Sequence, residues 1–429
     1  MQVRALVLLV ALPCGAQSLY PQRASAPVGA ASLALADCDH DGRLDLLTAP
    51  GNTAPLALRG DGAQGFESWL ALAMQDPGEA LVAADFDVDG NVDVAVARTT
   101  AGCAVFRGLG ASGFLPAPNL ALASVPHALA RGDLDGDGDL DLAWLTSSVL
   151  VGVARGDGAL GFTVSSSAAV GEAGSLACLD LDGDGRLDVI HAARPTFHTG
   201  ELVSRAVDAQ GQLGPQLPLH AMGLLYVWTA GDLDADGDLD VVVQEEPSLA
   251  LTVLANTNGA LAPASSPFTT RRARDLAIAD VNADGRADLL AAADGATASD
   301  PALERWIGLG GLTLGPQLVT RELAKPSSVA VADLEGDGTL EIVAGHSGAG
   351  ARVSVTRVQS GTLVAPTRVP LADEPLALAS VDWNRDGAAD IAVATANELV
   401  FALGNGQGGI GASALPLTAS SPGGFAIGD

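Results

Sequence analysis

The stretch Asp37-Cys38-Asp39-His40-Asp41-Gly42-Arg43-Leu44-Asp45 is the first of eight related acidic nonapeptides in a chain of 429 residues. Successive copies begin 47 to 53 residues apart, and the later seven open at Asp85, Asp133, Asp180, Asp232, Asp280, Asp333 and Asp382. A fixed period of this size is typical of propellers, solenoids and other repeat arrays. The nonapeptide therefore predicts one repeated unit along the whole chain.

Each acidic loop lies between two short apolar stretches. Residues 80–84 lead into the second copy and residues 94–96 leave it, while residues 56–58 and 66–68 show a third and a fourth stretch around a glycine turn. Short apolar runs bounded by glycine, aspartate and proline favour strands over helices. Four strands in about 48 residues is the size of a propeller blade. We therefore predict an all-β fold, a β-propeller of four-stranded blades, with eight blades and seven as the alternative.

The pattern Asp-x-Asp-x-Asp-Gly-x-x-Asp predicts one calcium loop per blade. The side chains at positions 1, 3, 5 and 9 and the backbone carbonyl of position 7 are expected to surround the ion, with glycine 6 at the sharp turn. This all-oxygen set suits Ca²⁺ better than Mg²⁺ or a soft metal. Metal-free Asp-rich turns are the alternative. However, two carboxylates about 4 Å apart repel by roughly 4 kcal/mol at an effective dielectric of 20, so the recurrence favours a cation, up to eight ions in all.

The eight loops supply unequal sets of predicted ligands. The first four contain Asp37, Asp39, Asp41, Arg43, Asp45; Asp85, Asp87, Asp89, Asn91, Asp93; Asp133, Asp135, Asp137, Asp139, Asp141; and Asp180, Asp182, Asp184, Arg186, Asp188. The last four contain Asp232, Asp234, Asp236, Asp238, Asp240; Asp280, Asn282, Asp284, Arg286, Asp288; Asp333, Glu335, Asp337, Thr339, Glu341; and Asp382, Asn384, Asp386, Ala388, Asp390. The second to fifth loops are complete. Asn or Glu replaces Asp in the last three, so we expect the sixth to eighth sites to be weaker.

Composition limits the functions that this chain can have. The net charge of −29, from 22 basic and 51 acidic residues, excludes a nucleic-acid surface, because phosphate binding needs clustered Lys and Arg. Cys38, Cys103 and Cys178 can form at most one disulfide, and we expect each of them to be a buried small residue.

Residues 1–16 are predicted to be a secretory signal peptide, and residues 17–429 a single propeller domain. Arg4 gives the start a positive charge, residues 5–12 are apolar, and Cys14-Gly15-Ala16 offers small residues before a cleavage site. An N-terminal core strand is the alternative. No other stretch reaches about 18 apolar residues, so we expect no membrane span. The expected location is secreted, cell-surface or periplasmic.

Two familiar motifs fall on the predicted turns between the third and fourth strands. GxGxxG occurs at residues 60–65, 108–113, 156–161 and 406–411. A dinucleotide fingerprint needs a helix N-terminus at this point, whereas these motifs lead into strands, so we predict hairpin turns. Arg-Gly-Asp triplets at residues 59–61 and 155–157 lie on the same turns, where integrin-ligand activity is the alternative to a structural role.

The acidic loops, together with Gly-Phe pairs at residues 65–66, 113–114 and 161–162, resemble the FG-GAP/VCBS repeat family. These calcium-bearing propeller repeats also occur in integrin α-subunit head domains. The resemblance covers about residues 30 to 429. It implies a β-propeller with calcium between the first two strands of each blade, and extracellular adhesion or recognition, usually without catalysis. Later repeats depart from the pattern in one respect, because leucine replaces the phenylalanine at Leu213, Leu261 and Leu363.

We expect a non-catalytic adhesion or recognition module whose partner is an extracellular protein or glycan. A propeller-type polysaccharide lyase or glycoside hydrolase is the alternative, and a structural matrix component is a third class. The enzyme is disfavoured because the six His are scattered, neither HExxH nor GxSxG occurs, and most carboxylates belong to the calcium loops.

Recognition is expected on the face opposite the calcium loops. In a four-stranded meander the 1–2 and 3–4 turns share one face, and the remaining connections share the other, where variable loops carry recognition. The longest repeats place insertions there, with Phe197 and His198 in one and Asp300 and Trp306 in the other. These rings could bind a partner. The alternative, which we favour, is that they pack between blades.

Residues 423–429 look like the first strand of a ninth repeat, stopping at its first aspartate. This strand either completes the ring with the N-terminal segment or indicates that the chain is a fragment of something longer.

Overall fold

The computed structural model describes most of the chain between Arg23 and Ile427. The described residues are 23–24, 31–49, 55–60, 66–74, 76–122, 124–146, 150–169, 172–196, 199–222, 224–246, 249–265, 271–294, 302–321, 325–334, 338–347, 352–359, 362–363, 367–371, 374–382, 388–395, 398–404, 410–416 and 422–427. Within them every regular element is a β-strand, which confirms the all-β prediction. The predicted signal peptide lies outside the described residues.

Four-stranded antiparallel meanders, one for each acidic loop, make up the first half of the chain. Sheet 1 contains Ala31–Ala36, Asp45–Ala49, Leu56–Gly60 and Phe66–Ala71, and sheet 2 contains Gly78–Ala84, Asp93–Arg98, Cys103–Gly108 and Phe114–Pro116. Sheet 3 contains Pro126–Gly132, Asp141–Thr146, Leu150–Gly156 and Phe162–Ala169, and sheet 4 contains Glu172–Leu179, Asp188–Thr196, Thr199–Arg205 and Leu217–Met222. In each, strands pair in chain order.

The second half repeats this arrangement. Sheet 5 contains Leu224–Gly231, Asp240–Glu246, Leu251–Ala255 and Ala262–Ser265, and sheet 6 contains Arg272–Ala279, Asp288–Asp294, Ala302–Trp306 and Leu318–Arg321. Sheet 7 contains Lys325–Ala332, Glu341–Ser347, Arg352–Gln359 and Thr367–Pro370, and sheet 8 contains Pro375–Val381, Asp390–Thr395, Glu398–Gly404 and Ile410–Pro416. Short extra strands, Arg23–Ala24 and Thr362–Leu363, pair with sheets 4 and 7.

Apolar cores lie between consecutive sheets and hold them face to face. The core between sheets 2 and 3, for example, joins Phe86 and Val105 to Leu129, Leu142 and Trp144. Equivalent cores connect each sheet to the next along the chain, from sheet 1 to sheet 8. Meanders stacked face to face in this way form a β-propeller architecture. The predicted fold class is therefore confirmed.

Burial decreases from the second strand to the fourth in sheets 2 and 5, where side chains of both strands are described. Asp141–Thr146, a second strand, is buried throughout, whereas Phe114–Pro116, a fourth strand, is largely exposed. The inner strands have a neighbouring sheet on both faces, which explains why they appear in the sequence as continuous apolar runs. Trp306 is 1% exposed and lies in the core between sheets 5 and 6, as the packing alternative predicted. Phe197, His198 and Asp300 lie outside the described residues.

All three cysteines of the predicted mature chain are buried and free, as predicted. They lie in inter-sheet cores, where each acts as a small apolar residue.

The last described strand, Pro422–Ile427, lies beside the first strand of sheet 1. It pairs in parallel with Ala31–Ala36 of sheet 1 and contacts Pro375–Val381 of sheet 8. This agrees with the interpretation that the strand joins the N-terminal segment. The choice between eight and seven blades stays a prediction. Among the described residues there is no helix with the length and hydropathy of a membrane span.

Candidate metal centre

Two residues in the left-handed conformation give the first six acidic loops their curl. Glycine at position 6 has a φ between 83° and 96° in the seven loops where it is described, which confirms its predicted role. Position 4 is also left-handed in six loops, with φ from 55° to 80°, and its residues are His40, Val88, Gly136, Gly183, Ala235 and Ala283. The left-handed residues at positions 4 and 6 bend the chain tightly around the side chains of positions 1, 3 and 5.

Carboxylates at positions 1 and 5 hold the loop through its own backbone. Asp85 Oδ2 accepts a hydrogen bond from the Gly90 N–H at 2.9 Å, and the equivalent bond occurs in seven loops. Asp89 Oδ1 accepts one from the Asn91 N–H at 2.8 Å. These bonds leave further oxygen lone pairs for a cation. The predicted role of the position-7 carbonyl stays a prediction.

The carboxylate at position 9 connects the acidic loop to the hairpin turn between strands 3 and 4. In sheet 3, Asp141 accepts hydrogen bonds from the Leu134 N–H at 2.9 Å and from the Gly156 N–H at 2.8 Å. Sheets 2 and 5 contain the same pair of bonds. Glu341 keeps the first of them, from the Leu334 N–H at 2.9 Å, although it replaces Asp. The acidic loop and the hairpin turn therefore share one face, as predicted, and position 9 braces them together.

Burial raises the pKa of the position-9 carboxyl groups. Desolvation raises the pKa of Asp93, Asp141, Asp240 and Asp288 to about 6, although backbone N–H groups act in the opposite direction. For Asp188, desolvation and then the charge of Asp182 raise the pKa to about 7. A bound cation would favour the ionised form. Each raised pKa therefore marks negative charge that the protein alone does not compensate.

Five loops bring three carboxylates close enough to share one ion. Their oxygens lie within 4.8 Å of one another in the groups Asp37, Asp39, Asp41; Asp85, Asp87, Asp93; Asp133, Asp135, Asp141; Asp180, Asp182, Asp184; and Asp232, Asp234, Asp240. The Oδ1 atoms of Asp87, Asp135, Asp232 and Asp234 are buried without a hydrogen-bond partner. A buried carboxylate oxygen in this state is unfavourable unless a cation meets it. The residues present therefore fit a hard cation such as Ca²⁺.

Arginines from the third strand reach at least three of the acidic loops, which the sequence analysis missed. Each one precedes the first glycine of the hairpin turn and pairs with the carboxylates at position 3 or at positions 3 and 5. The pairs are Arg59 with Asp39, Arg107 with Asp87 and Asp89, and Arg155 with Asp135 and Asp137. The sequence did contain a signal for these arginines, because the pair Arg-Gly recurs at residues 59–60, 107–108 and 155–156.

The later loops are described less completely. In the sixth, Asn282 Oδ1 accepts a hydrogen bond from the Asp284 N–H at 2.9 Å, so the amide preserves the shape of the loop. Thr339 is exposed and Ala388 is buried. Four predicted ligands of the seventh and eighth loops lie outside the described residues: Glu335, Asp337, Asn384 and Asp386. The predicted weakness of the sixth to eighth sites stays a prediction.

The glycine motifs at residues 108–113 and 156–161 are hairpin turns, as predicted. In the second, the Asp157 N–H donates to Gly161 O at 3.1 Å, and Asp157 Oδ1 accepts from the Ala159 N–H at 2.9 Å. Because Arg155 pairs with the acidic loop, both charged residues of the triplet at 155–157 are engaged within the chain. This favours its structural role. The motifs at 60–65 and 406–411 fall largely outside the described residues.

One family model matches this chain. The model, described as an FG-GAP-like repeat, matches residues 85–144, 133–191, 232–291 and 280–344, which together span about half of the chain. The matches include the second to seventh acidic loops. No curated protein sequence matches the chain.

Several solved structures are similar in fold at low identity. An Agrocybe aegerita lectin that recognises non-reducing terminal N-acetylglucosamine has 16% identity and a TM-score of 0.48, over 90% of this chain and 94% of that one. The V. cholerae biofilm matrix protein Bap1 has 14% identity and a TM-score of 0.38, over 99% of this chain and 84% of that one. BBS1N, solved in complex with ARL6DN, has 12% identity and a TM-score of 0.47, over 84% of this chain and 96% of that one. Because these TM-scores are low, the fold assignment rests on the sheets described above.

Proposed function

The chain belongs to the FG-GAP-like repeat family, and from this premise we propose that it is a secreted calcium-binding propeller that serves as a non-catalytic adhesion or recognition module. One observation carries the calcium part of the proposal. Five acidic loops each gather three carboxylates within 4.8 Å, and three of these loops contain a buried oxygen without a hydrogen-bond partner. Such an arrangement is costly without a cation and favourable with one.

Calcium in this proposal is structural. The ions would bind between the first two strands of each sheet, at loops that position 9 ties to the neighbouring hairpin turn. Recognition then belongs to the opposite face, where the remaining connections lie and variable loops commonly carry binding. The proposed partner is an extracellular protein or glycan.

The calcium content and the thermal stability test the structural role. Purified protein dialysed to equilibrium against buffer containing calcium should bind at least four ions per chain above the free concentration by plasma emission analysis, one for each complete loop. With free calcium at ten times Kd, each site stabilises the fold by about 1.4 kcal/mol. Removing all the ions should therefore lower the melting temperature by more than about ten degrees. Fewer than four ions, or an unchanged melt, would overturn the calcium proposal.

The partner is tested by an array screen run with and without calcium. Calcium-dependent binding to a defined glycan or to an extracellular protein supports the recognition module. Release of cleaved oligosaccharide from any glycan would instead identify an enzyme and refute the non-catalytic proposal. Secretion has its own test, because N-terminal sequencing of the exported protein should begin at Gln17.

A further inference from the structure

Arg107 and Arg155 occupy one structural position in two neighbouring sheets. Each immediately precedes the residue whose N–H donates to the position-9 carboxylate, namely Gly108 to Asp93 and Gly156 to Asp141. Their guanidinium groups extend from this position over the acidic loop of the same sheet. Arg107 Nε lies 2.9 Å from Asp87 Oδ2, and Arg107 Nη2 lies 2.8 Å from Asp89 Oδ2.

The arginine contacts one oxygen of the position-3 carboxylate and leaves the other available to a cation. In sheet 2, Arg107 contacts Oδ2 of Asp87, while Oδ1 of Asp87 is buried without a partner. In sheet 3, Arg155 pairs with Oδ2 of Asp135, while Oδ1 of Asp135 has no partner. The Asp135 side chain is 0% exposed and belongs to the three-carboxylate group of its loop. The guanidinium thus fixes the position-3 side chain with one oxygen free beside the other acids.

The equivalent position is uncharged in sheets 5, 6 and 8, whereas sheets 1 and 7 have Arg59 and Arg357 there. The same hydrogen bond to position 9 comes from Asn256 in sheet 5, Gly308 in sheet 6 and Gly404 in sheet 8. The preceding residues are Ala255, Ile307 and Leu403. The complete loop that opens at Asp232 therefore has the same acids as those at Asp85 and Asp133 but no arginine from its third strand.

A fixed positive charge changes both states of an acidic loop. Without metal it offsets the repulsion among the carboxylates, so the loop keeps its shape. A divalent ion bound to the remaining oxygen of the same carboxylate would be repelled by this charge. Stabilising the metal-free state and destabilising the metal-bound state both weaken calcium affinity.

We propose that Arg107 and Arg155 are built-in counter-cations that keep their acidic loops folded without metal and make those two sites weaker than the site at Asp232. The inference rests on the proposed calcium binding. It divides three of the four complete loops, which the sequence presents as equal, into two that are preformed and one that depends on metal. Arg59 makes the same kind of pair, but its Nη2 also donates to Ala111 O of sheet 2 at 3.0 Å. Arg107 and Arg155 are therefore better targets for substitution.

The test compares a double variant, R107M/R155M, with the unaltered chain. In calcium titrations by isothermal calorimetry, two of the sites should bind about tenfold more tightly, because a unit charge next to a divalent ion has been removed. In metal-free buffer the melting temperature should fall, whereas in excess calcium it should stay close to that of the unaltered chain. The control is R98M, since Arg98 pairs with Asp76, away from the acidic loops, and its calcium titration should not change.

The reciprocal variant, A255R, adds a charge where sheet 5 has none. It should weaken one site by about tenfold and raise the metal-free melting temperature. If R107M/R155M does not fold, the calcium affinity and the metal-free melting temperature of A255R test the inference. A calcium affinity that is unchanged or lower in R107M/R155M, or unchanged in A255R, would overturn this inference but not the proposed calcium binding. If the unaltered chain binds no calcium, the proposed function fails, and the inference fails with it.

Discussion

At the scale of single residues, Val88 is in an unfavourable conformation. It occupies position 4 of the second acidic loop with a φ of 55°, and it is 74% exposed. A side chain with a branched β-carbon crowds the backbone in this left-handed region, and exposure gives it little packing in return. Position 4 is Gly136 in the third loop and Gly183 in the fourth, which removes the crowding.

We expect Val88→Gly to stabilise the metal-free protein by about 0.5–1 kcal/mol, because relief of the left-handed strain exceeds the added entropy of the unfolded chain. Urea unfolding in calcium-free buffer measures the change. Val164→Gly is the matched control, since Val164 is also exposed but lies within the strand Phe162–Ala169, where glycine should destabilise. Equal losses of stability in both variants would contradict the strain argument.

Measurements with and without calcium can separate the structural role of Asp141 from its role in metal binding. It is 0% exposed and accepts two backbone hydrogen bonds, so Asp141→Ala leaves the N–H groups of Leu134 and Gly156 without acceptors. Since each buried unpaired group costs about 1–3 kcal/mol, we expect a loss of about 2–6 kcal/mol even in calcium-free buffer. Asp139→Ala, in the same loop, should cost less than about 1 kcal/mol. A loss seen only when calcium is present would show that Asp141 acts through the metal alone.

At the scale of structural elements, each acidic loop and the following hairpin turn form one unit. A Cβ atom at Gly108, Gly156 or Gly308 would lie 2.2–2.3 Å from the carbonyl oxygen of loop position 8. Glycine at the start of the turn therefore allows the two segments to touch, and its N–H reaches the position-9 carboxylate.

Gly156→Ala should consequently push the third loop away from its turn and cost about 2 kcal/mol or more. Thermal unfolding, measured with and without calcium, should show the loss in both conditions, together with weaker calcium binding at one site. The comparison variant is Gly214→Ala, where the added methyl group meets nothing closer than Ala206 O at 3.1 Å. If Gly156→Ala proves no more harmful than this variant, the loop and the turn do not act as one unit.

The sequence predicts features that depend on neighbours along the chain. The strands, the left-handed glycine of each loop and the hairpin turns follow from local patterns of apolar residues and glycine. The brace from Asp141 to the Gly156 N–H spans 15 residues and depends on how two hairpins fold against each other. Arg107 was overlooked for the same reason. Its contacts with Asp87 and Asp89 exist only once the third strand lies beside the acidic loop.

At the scale of the whole molecule, the negative charge makes stability depend jointly on pH and calcium. The net charge is −29, and the acidic loops contain most of the carboxylates. Mutual repulsion of this charge opposes the compact state. Protons and calcium ions both relieve the repulsion, and both bind to the same oxygens. Lowering the pH should therefore have opposite effects on the metal-free and calcium-loaded proteins.

In the metal-free protein, the pKa values of Asp93, Asp141, Asp240 and Asp288 are about 6 and that of Asp188 is about 7, against an ordinary value of 3.8. Between pH 4 and pH 7 the folded state thus holds more protons than the unfolded state, so its stability falls as the pH rises through these values. We expect the melting temperature of calcium-stripped protein to rise when the pH is lowered from 7.5 to 5.5. In millimolar calcium it should fall over the same range, because protons displace the ion.

Asp188→Asn removes the position-9 carboxyl group with the highest of these pKa values and should flatten the metal-free response near pH 7. If the calcium-stripped protein instead melts at a higher temperature at pH 7.5 than at pH 5.5, the position-9 carboxylates are not the uncompensated charges inferred here.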